Sequence, residues 1–443
     1  MSPNLQPRQV GATHVVTRET DPSTRATSAA PHPPQAQPPP PQQPQPPQPQ
    51  PQQQTSRDLV VDLVRSSGPI SRVELAEASG LTQASISTIV RRLLDEGLVR
   101  ETGRAASTGG KPRTMIEVNP RAVYGMGVQI GSDSLTFVVT DLRGGVVGRL
   151  QIDAGAAASD DVTAAAVRIV DGFHDVVGSL GLASGAVAGL AVVGPRATLA
   201  HGVRTGPRST ESALHAGLHA AVALRLGLPV VVDNDAAAAA LGEFWSRQVP
   251  RTETFACVYL GTGVGAGVVL DGALHRGASS GAGELGHVSI DLDGEPCYCG
   301  NRGCLELAAS PAAVVARAHR DASAFDDLGL TYAPGGVARD FDLLARAAVA
   351  GHAAADALVT RAAGQLAAGV VTLANLLDLD RVVLSGPGVA VAGSIYARAA
   401  VDALARRAFS RGVHTTRVEV STDPRDAAAI GAAALVVQRA IAR

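Results

Sequence analysis

From Tyr124 onward, short apolar runs alternate with long alanine-rich stretches, and this alternation sets the class of fold. The runs at 126–130, 135–140, 187–193, 229–232, 255–260, 266–270 and 381–385 are too short for stable helices and rich in β-branched residues, which predicts strands. The stretches at 161–180, 211–226, 235–246, 311–319, 355–377, 391–408 and 426–441 predict helices. Asp141-Leu-Arg-Gly-Gly145 and Asp271-Gly272 have the chemistry of hairpin turns, whereas the helix-bearing connections require parallel crossovers. Hairpins and crossovers together predict a two-lobed α/β body.

The preceding segment has a different texture. Apolar residues at 59, 60, 63 and 64 form a helical stripe that Gly68-Pro69 ends. Ser71 with Glu74 predicts a capping box for a second helix, which stops at Gly80. Thr82 caps a third helix, with Ile86, Ile89, Val90, Leu93 and Leu94 on one face and Gly97 at its end. Leu98–Arg100 and Thr114–Val118 then predict two short strands around a glycine-rich loop. Three helices followed by a β-hairpin predict a winged helix-turn-helix over 56–118, its third helix placed to enter the major groove of double-stranded DNA. The first turn of that helix offers Gln83, Ala84, Ser85 and Ser87 to base edges, by amide and hydroxyl hydrogen bonds and methyl contact. Arg91, Lys111 and Arg113 are expected to meet phosphates, with Arg92 beside them. Nine basic against seven acidic residues between Arg57 and Arg113 make a single copy a weak binder, so a homodimer or homotetramer reading a two-fold operator is expected.

Residues 1–55 predict a tail. Pro31–Gln54 is Pro and Gln throughout, apart from His32 and Ala36, and lacks the apolar surface that would offset its ordering entropy. With 46% apolar residues, the rest of the 443-residue chain is long enough for a sizeable core. A formal net charge of −2 gives no global attraction to nucleic acid or anionic lipid, so any DNA contact must come from a local patch. The first residues lack a signal-peptide pattern, and Gly, Asp and Arg break every long apolar stretch. The expectation is a cytoplasmic protein without a membrane span.

Three of the four cysteines fall within eight positions, at 297, 299 and 304. With His287 they supply three soft thiolates and an imidazole, which suit tetrahedral zinc. Four protein ligands leave no position for water, so the zinc would be structural. Cys257 lies in an apolar run and is expected in the core.

Gly281-Ala-Gly-Glu-Leu-Gly-His287, Cys299-Gly-Asn-Arg-Gly-Cys-Leu-Glu306 and Asp233-Asn-Asp-Ala236 occur together with the N-terminal head and its Ser107-Thr-Gly-Gly-Lys-Pro-Arg113 wing. This combination resembles the ROK family of repressors, open reading frames and sugar kinases, and in particular its repressor branch, over about 57–443. The resemblance implies an actin-like, ribonuclease-H-like fold. Its smaller lobe would span 119–232, completed by the C-terminal helix 426–443, and its larger lobe, with the zinc loop, 233–425. It also implies a sugar between the lobes, bonded by Asn234, Asp235, Glu284, His287 and Glu306, with zinc bracing His287.

The kinases of that family carry Asp-x-Gly-Gly-Thr-Lys at the first strand and turn. Here the stretch is Gln129-Ile-Gly-Ser-Asp-Ser134, which retains only one of the glycines and places an anion at 133. Phosphoryl transfer depends on neutralising phosphate charge, so loss of kinase activity is expected although Gly261-Thr-Gly-Val-Gly-Ala-Gly267 is intact. The segment Thr205–Thr210 lacks the Asn and Trp that the family usually has near the sugar. The effector is then a sugar, or a sugar phosphate held by Arg208, of a regulator of carbohydrate metabolism. An active sugar kinase with an appended DNA-binding head, and a body without ligand, are the alternatives.

Overall fold

The computed structural model describes residues 55–104, 113–131, 133–154, 161–194, 209–333 and 335–441. The head opens with α1 (Ser56–Ser67), capped by a box between Thr55 and Asp58. A two-residue strand, β1 (Ile70–Ser71), precedes α2 (Arg72–Ser79), whose Ser71–Glu74 box forms as the sequence predicts. Gly80 ends α2 in the left-handed conformation, with φ of 70°. Next come α3 (Gln83–Asp95), capped by Thr82, and the strands β2 (Val99–Arg104) and β3 (Thr114–Val118). β3 is the central strand of the sheet β1-β3-β2. Val60, Val64, Leu75, Ile86, Val90, Leu93 and Ile116 fill the core beneath it.

The body begins with the antiparallel β4 (Tyr124–Ile130), β5 (Ser134–Thr140) and β6 (Val146–Asp153). It continues through α4 (Val162–Ser179), β7 (Val187–Gly194), α5 (Ser209–Leu226) and β8 (Val230–Asn234). These strands form one sheet, ordered β6-β5-β4-β7-β8, in which β7 and β8 join in parallel. Helix α6 (Asp235–Ser246) leads to β9 (Phe255–Leu260), β10 (Val264–Leu270) and β11 (Ala273–Leu274), again antiparallel. Then follow α7 (Leu305–Ala309), α8 (Pro311–Arg320), α9 (Val337–Val349), α10 (Ala353–Leu377), β12 (Arg381–Ser385), α11 (Gly393–Arg407), β13 (Arg417–Val420) and α12 (Ala427–Ile441). The second sheet, β11-β10-β9-β12-β13, repeats the plan of the first: three antiparallel strands, then two parallel ones. The body is therefore a doubled α/β unit, as the alternating pattern predicts.

Strands β1, β6, β11 and β13 and helices α7 and α9 are absent from the sequence-based expectation. Helix α10 is long and apolar enough to cross a membrane by composition, although Asp356 and Arg361 lie within it. Here its Val359, Leu366 and Val370 are buried in the core against the second sheet.

Helices α6 and α12 lie between the sheets. α12 packs on β4 and β7, and α6 packs on β9 and β10. They cross almost backbone to backbone, because a Cβ added at Gly431 would sit 1.7 Å from the Ala238 carbonyl oxygen. No larger residue fits there without separating the helices.

The head rests on the ends of these two helices. Arg65 of α1 is 5% exposed, lies 4.1 Å from the Trp245 ring centroid and donates to the Trp245 carbonyl oxygen at 3.2 Å. Asp62 pairs with Arg251 at 2.9 Å, and Arg57 donates to the Ile441 carbonyl oxygen at 3.1 Å. Glu117 of β3 accepts from Arg143 in the β5–β6 turn.

Candidate functional site

Asn234 and Asp235 stand at the start of α6 because β8 ends there and the side chain of Asn234 caps the helix. Its oxygen accepts from the amides of Ala236 at 2.9 Å and Ala237 at 3.1 Å. Capping occupies that oxygen, so the amide NH2 is the group left to bond a hydroxyl. Asp235 is 6% exposed and accepts from the Ala236 amide at 2.8 Å. Burial pushes its carboxyl up to about 6, and the charge of Glu284 adds to the rise. Asp233, one residue earlier, is held by Arg276 through two hydrogen bonds of 3.1 and 2.7 Å.

Glu284 is exposed beside a short 3-10 turn, Leu285–His287. Glu306 enters from α7, and its carboxylate accepts from the Val264 amide at 3.0 Å. That amide belongs to the glycine loop between β9 and β10. A Cβ at Gly263 would lie 2.1 Å from the Glu306 carboxylate, so the glycine admits the acid.

The side chains of His287, Cys297, Cys299 and Cys304 converge, with their ligand atoms all within 4.8 Å of one another. His287 Nδ1 is 3.7 Å from Cys297 Sγ, and Cys299 Sγ is 3.6 Å from Cys304 Sγ. A tetrahedral ion with metal–sulfur bonds of about 2.3 Å requires edges of about 3.8 Å, so the donor set fits zinc in both chemistry and spacing. The other imidazole nitrogen, Nε2, lies 3.1 Å from the Tyr298 hydroxyl. Burial, with Glu306 nearby, raises that hydroxyl's pKa. Tyr298 thus links the cysteine cluster to the carboxylate wall. The sequence reading passed over it, although its place between two of the cysteines was the available signal. Cys257 is buried in β9, as expected.

The first strand and turn depart from the kinase pattern. Gln129, at the position of the kinases' acid, donates through Nε2 to the buried Tyr259 hydroxyl at 2.6 Å. Asp133 is exposed and accepts from Ser134. Beside them opens a cavity of about 270 Å3 that Asp235 and Thr262 help to line.

On the head, Gln83, Ala84, Ser85 and Arg91 are exposed along α3, and Ser87 is half-buried. The Ser85 hydroxyl lies 2.9 Å from that of Thr82. Arg113 is exposed where β3 begins, while Lys111, with the loop 105–112, lies outside the described residues, as do Arg208 and the tail before Thr55. Thr88, exposed on the same helix and bonded to the Ala84 carbonyl, was not among the predicted contacts.

Residues 125–439 match the model of the ROK family. The chain belongs to the ROK family. Residues 59–103 match the MarR family, in agreement with the winged helix of the head. Among ROK relatives, the xylose repressor of Bacillus subtilis (strain 168) is 29% identical over 268 residues, 59% of this chain and 67% of the repressor. The crystal structure of a ROK family transcriptional regulator, a homologue of the E. coli MLC protein, has a TM-score of 0.67 at 25% identity. It covers 88% of this chain and 96% of that one. A ROK family glucokinase from Streptomyces griseus, in complex with glucose and AMPPNP, has a TM-score of 0.56 at 28% identity, with 71% and 98% covered. The ROK regulator matches more of this chain than the ROK kinase does.

Proposed function

We propose that this ROK protein is a transcriptional regulator, a repressor of carbohydrate-metabolism genes, that releases or reshapes its grip on DNA when a sugar binds between the lobes. One observation carries the reading: α6 joins the two activities. Its first residues, Asn234 and Asp235, face the effector site, and its last turn holds Trp245, against which Arg65 of the head is stacked. A rigid 12-residue helix passes a displacement at one end to the other. The coupling needs a sugar that prefers one arrangement of the lobes.

In this reading the smaller lobe spans 119–232 with 426–443, and the larger lobe 233–425. The sugar's hydroxyls are bonded by the Asn234 amide, Asp235, Glu284, His287 and Glu306, with the imidazole of His287 braced by its zinc-side contacts. Zinc on His287, Cys297, Cys299 and Cys304 supplies a structural crosslink for the 287–304 loop and fixes the imidazole's tautomer. Gln83, Ala84, Ser85 and Ser87 read base edges, and Arg91, Lys111 and Arg113 bind phosphates. A homodimer or homotetramer in the cytoplasm presents two heads to a two-fold operator. The relative named as a repressor, and the structural match to a ROK transcriptional regulator over 88% of this chain, support this reading over enzymatic activity.

The alternative, an active sugar kinase with an added head, has Asp235 as its base but lacks a cation at the first phosphate turn, where Asp133 and Ser134 stand. A mobility-shift assay with the DNA upstream of the protein's own gene, with and without a sugar panel, tests the proposal. A shift that one sugar changes is expected, and a protein that retards no such DNA would overturn it.

A further inference from the structure

The sequence leaves open whether the effector is a free sugar or a sugar phosphate. We infer that it is a neutral, unphosphorylated sugar, and that the cavity beside Asp235 rejects the corresponding phosphate ester. The inference rests on the proposed sugar site and names the class of ligand that it accepts.

A hydroxyl bonded to Asp235 points into the cavity of about 270 Å3 that continues past Thr262 and Gly388. Esterified at that hydroxyl, the sugar would place a dianion in the cavity. Three guanidiniums line it, those of Arg149, Arg339 and Arg425, and each is already committed. Arg149 pairs with Asp426, Arg425 with Asp342 at 2.6 Å, and Arg339 with the fully buried Asp340 at 3.1 Å. Two further carboxylates face the same space, Asp133 and Asp235, and among the described residues neither has a cationic partner. The lining therefore holds four carboxylates against three guanidiniums.

Two backbone donors beside the cavity are already used. The Val264 amide of the glycine loop already donates to the Glu306 carboxylate, at 3.0 Å. The Gly131 amide of the first turn donates to the Ser134 carbonyl at 2.8 Å. A phosphate there would break an ion pair or lie unpaired next to Asp235 and Asp133, and either costs far more than a neutral hydroxyl surrounded by water or by Gln129 and Thr136. The wall that has lost phosphoryl transfer thus becomes a charge filter.

Calorimetric titration of the full-length protein with matched pairs tests this: glucose and glucose 6-phosphate, N-acetylglucosamine and its 6-phosphate, with xylose as a sugar that lacks the C6 hydroxyl. At least one free sugar is expected to bind 100-fold or more tightly than its ester. Asp342→Asn, which frees Arg425, and Asp133→Asn, at an exposed position, should each narrow that ratio about tenfold. The two variants are independent, so misfolding of one leaves the other to decide. An ester that binds as tightly as its parent sugar, or more so, overturns the inference and leaves the sugar reading standing. Binding of no sugar and no ester overturns both, and an unchanged ratio in both variants removes the charge filter as the cause.

Discussion

Asp235→Asn should make the protein more stable and blind to its effector at once. The carboxyl is buried, and burial together with the charge of Glu284 pushes it up to about 6 from its ordinary 3.8. A shift of roughly two units at about 1.4 kcal/mol per unit puts the cost of ionising it in the native state at about 3 kcal/mol. The sign follows from linkage. Because the folded value is raised, the neutral carboxyl's contribution is complete below about pH 4 and is lost as pH rises through about 6. Asparagine is isosteric and never ionises, and its side-chain oxygen still accepts from the Ala236 amide. The variant should therefore match the parent near pH 4, gain between pH 4 and 6, and hold a constant advantage above that. Thermal midpoints of the two full-length proteins, measured every half unit from pH 4 to 8, give the difference directly. Groups common to both, the cysteine cluster included, cancel in that difference. The same variant should lose the sugar-dependent change in a mobility-shift assay. An advantage that does not vary with pH, or an Asn variant less stable than its parent at pH 7, would refute the assignment of Asp235 as a buried, charge-strained carboxylate.

Other outcomes follow from the same geometry. Arg65→Met removes the stack on Trp245 and the bond to its carbonyl, together about 1–3 kcal/mol. It should leave sugar affinity intact while flattening the effect of sugar on DNA affinity, read by calorimetry and mobility shift side by side. Cys304→Ala should abolish the one zinc per chain that elemental analysis of the parent is expected to find, and should lower the thermal midpoint by several degrees. On the head, Arg91→Ala should reduce the slope of log affinity against log salt by about 1 without changing sequence preference, whereas Gln83→Ala should relax preference at one base pair, as a binding-site selection would register.

Much of this protein was legible in the sequence because local chemistry specifies it. The caps at Ser71 and Thr82 and the left-handed glycine at 80 bound the head's helices where the sequence places them. The strands β4, β5, β7, β9 and β12 lie inside the sheets, buried on both faces, so their apolar runs are continuous and easily read. The missed strands of the body, β6, β11 and β13, are all sheet edges. An edge strand buries one side at most, as the alternating exposure of β6 shows, and its pattern is correspondingly faint. Helix α9 was missed for a related reason. Asp340 interrupts its apolar stripe, yet it is fully buried and accepts from Thr331 and Tyr332 across a loop that only the fold brings near.

The cysteine–histidine spacing announced a metal-type cluster, since its ligands lie within one loop. What tertiary structure alone decided is what lies across the cleft: Gln129 on Tyr259, Glu306 on Val264, Arg149 on Asp426 and Arg65 on Trp245. Each joins residues at least 42 positions apart, and through-space partners of that kind depend on how whole sheets and helices stack, not on any local period. The sequence by itself determined the kind of elements and the chemical inventory. The packing of α6 against α12, and of both against the head, determined which of those chemistries face each other.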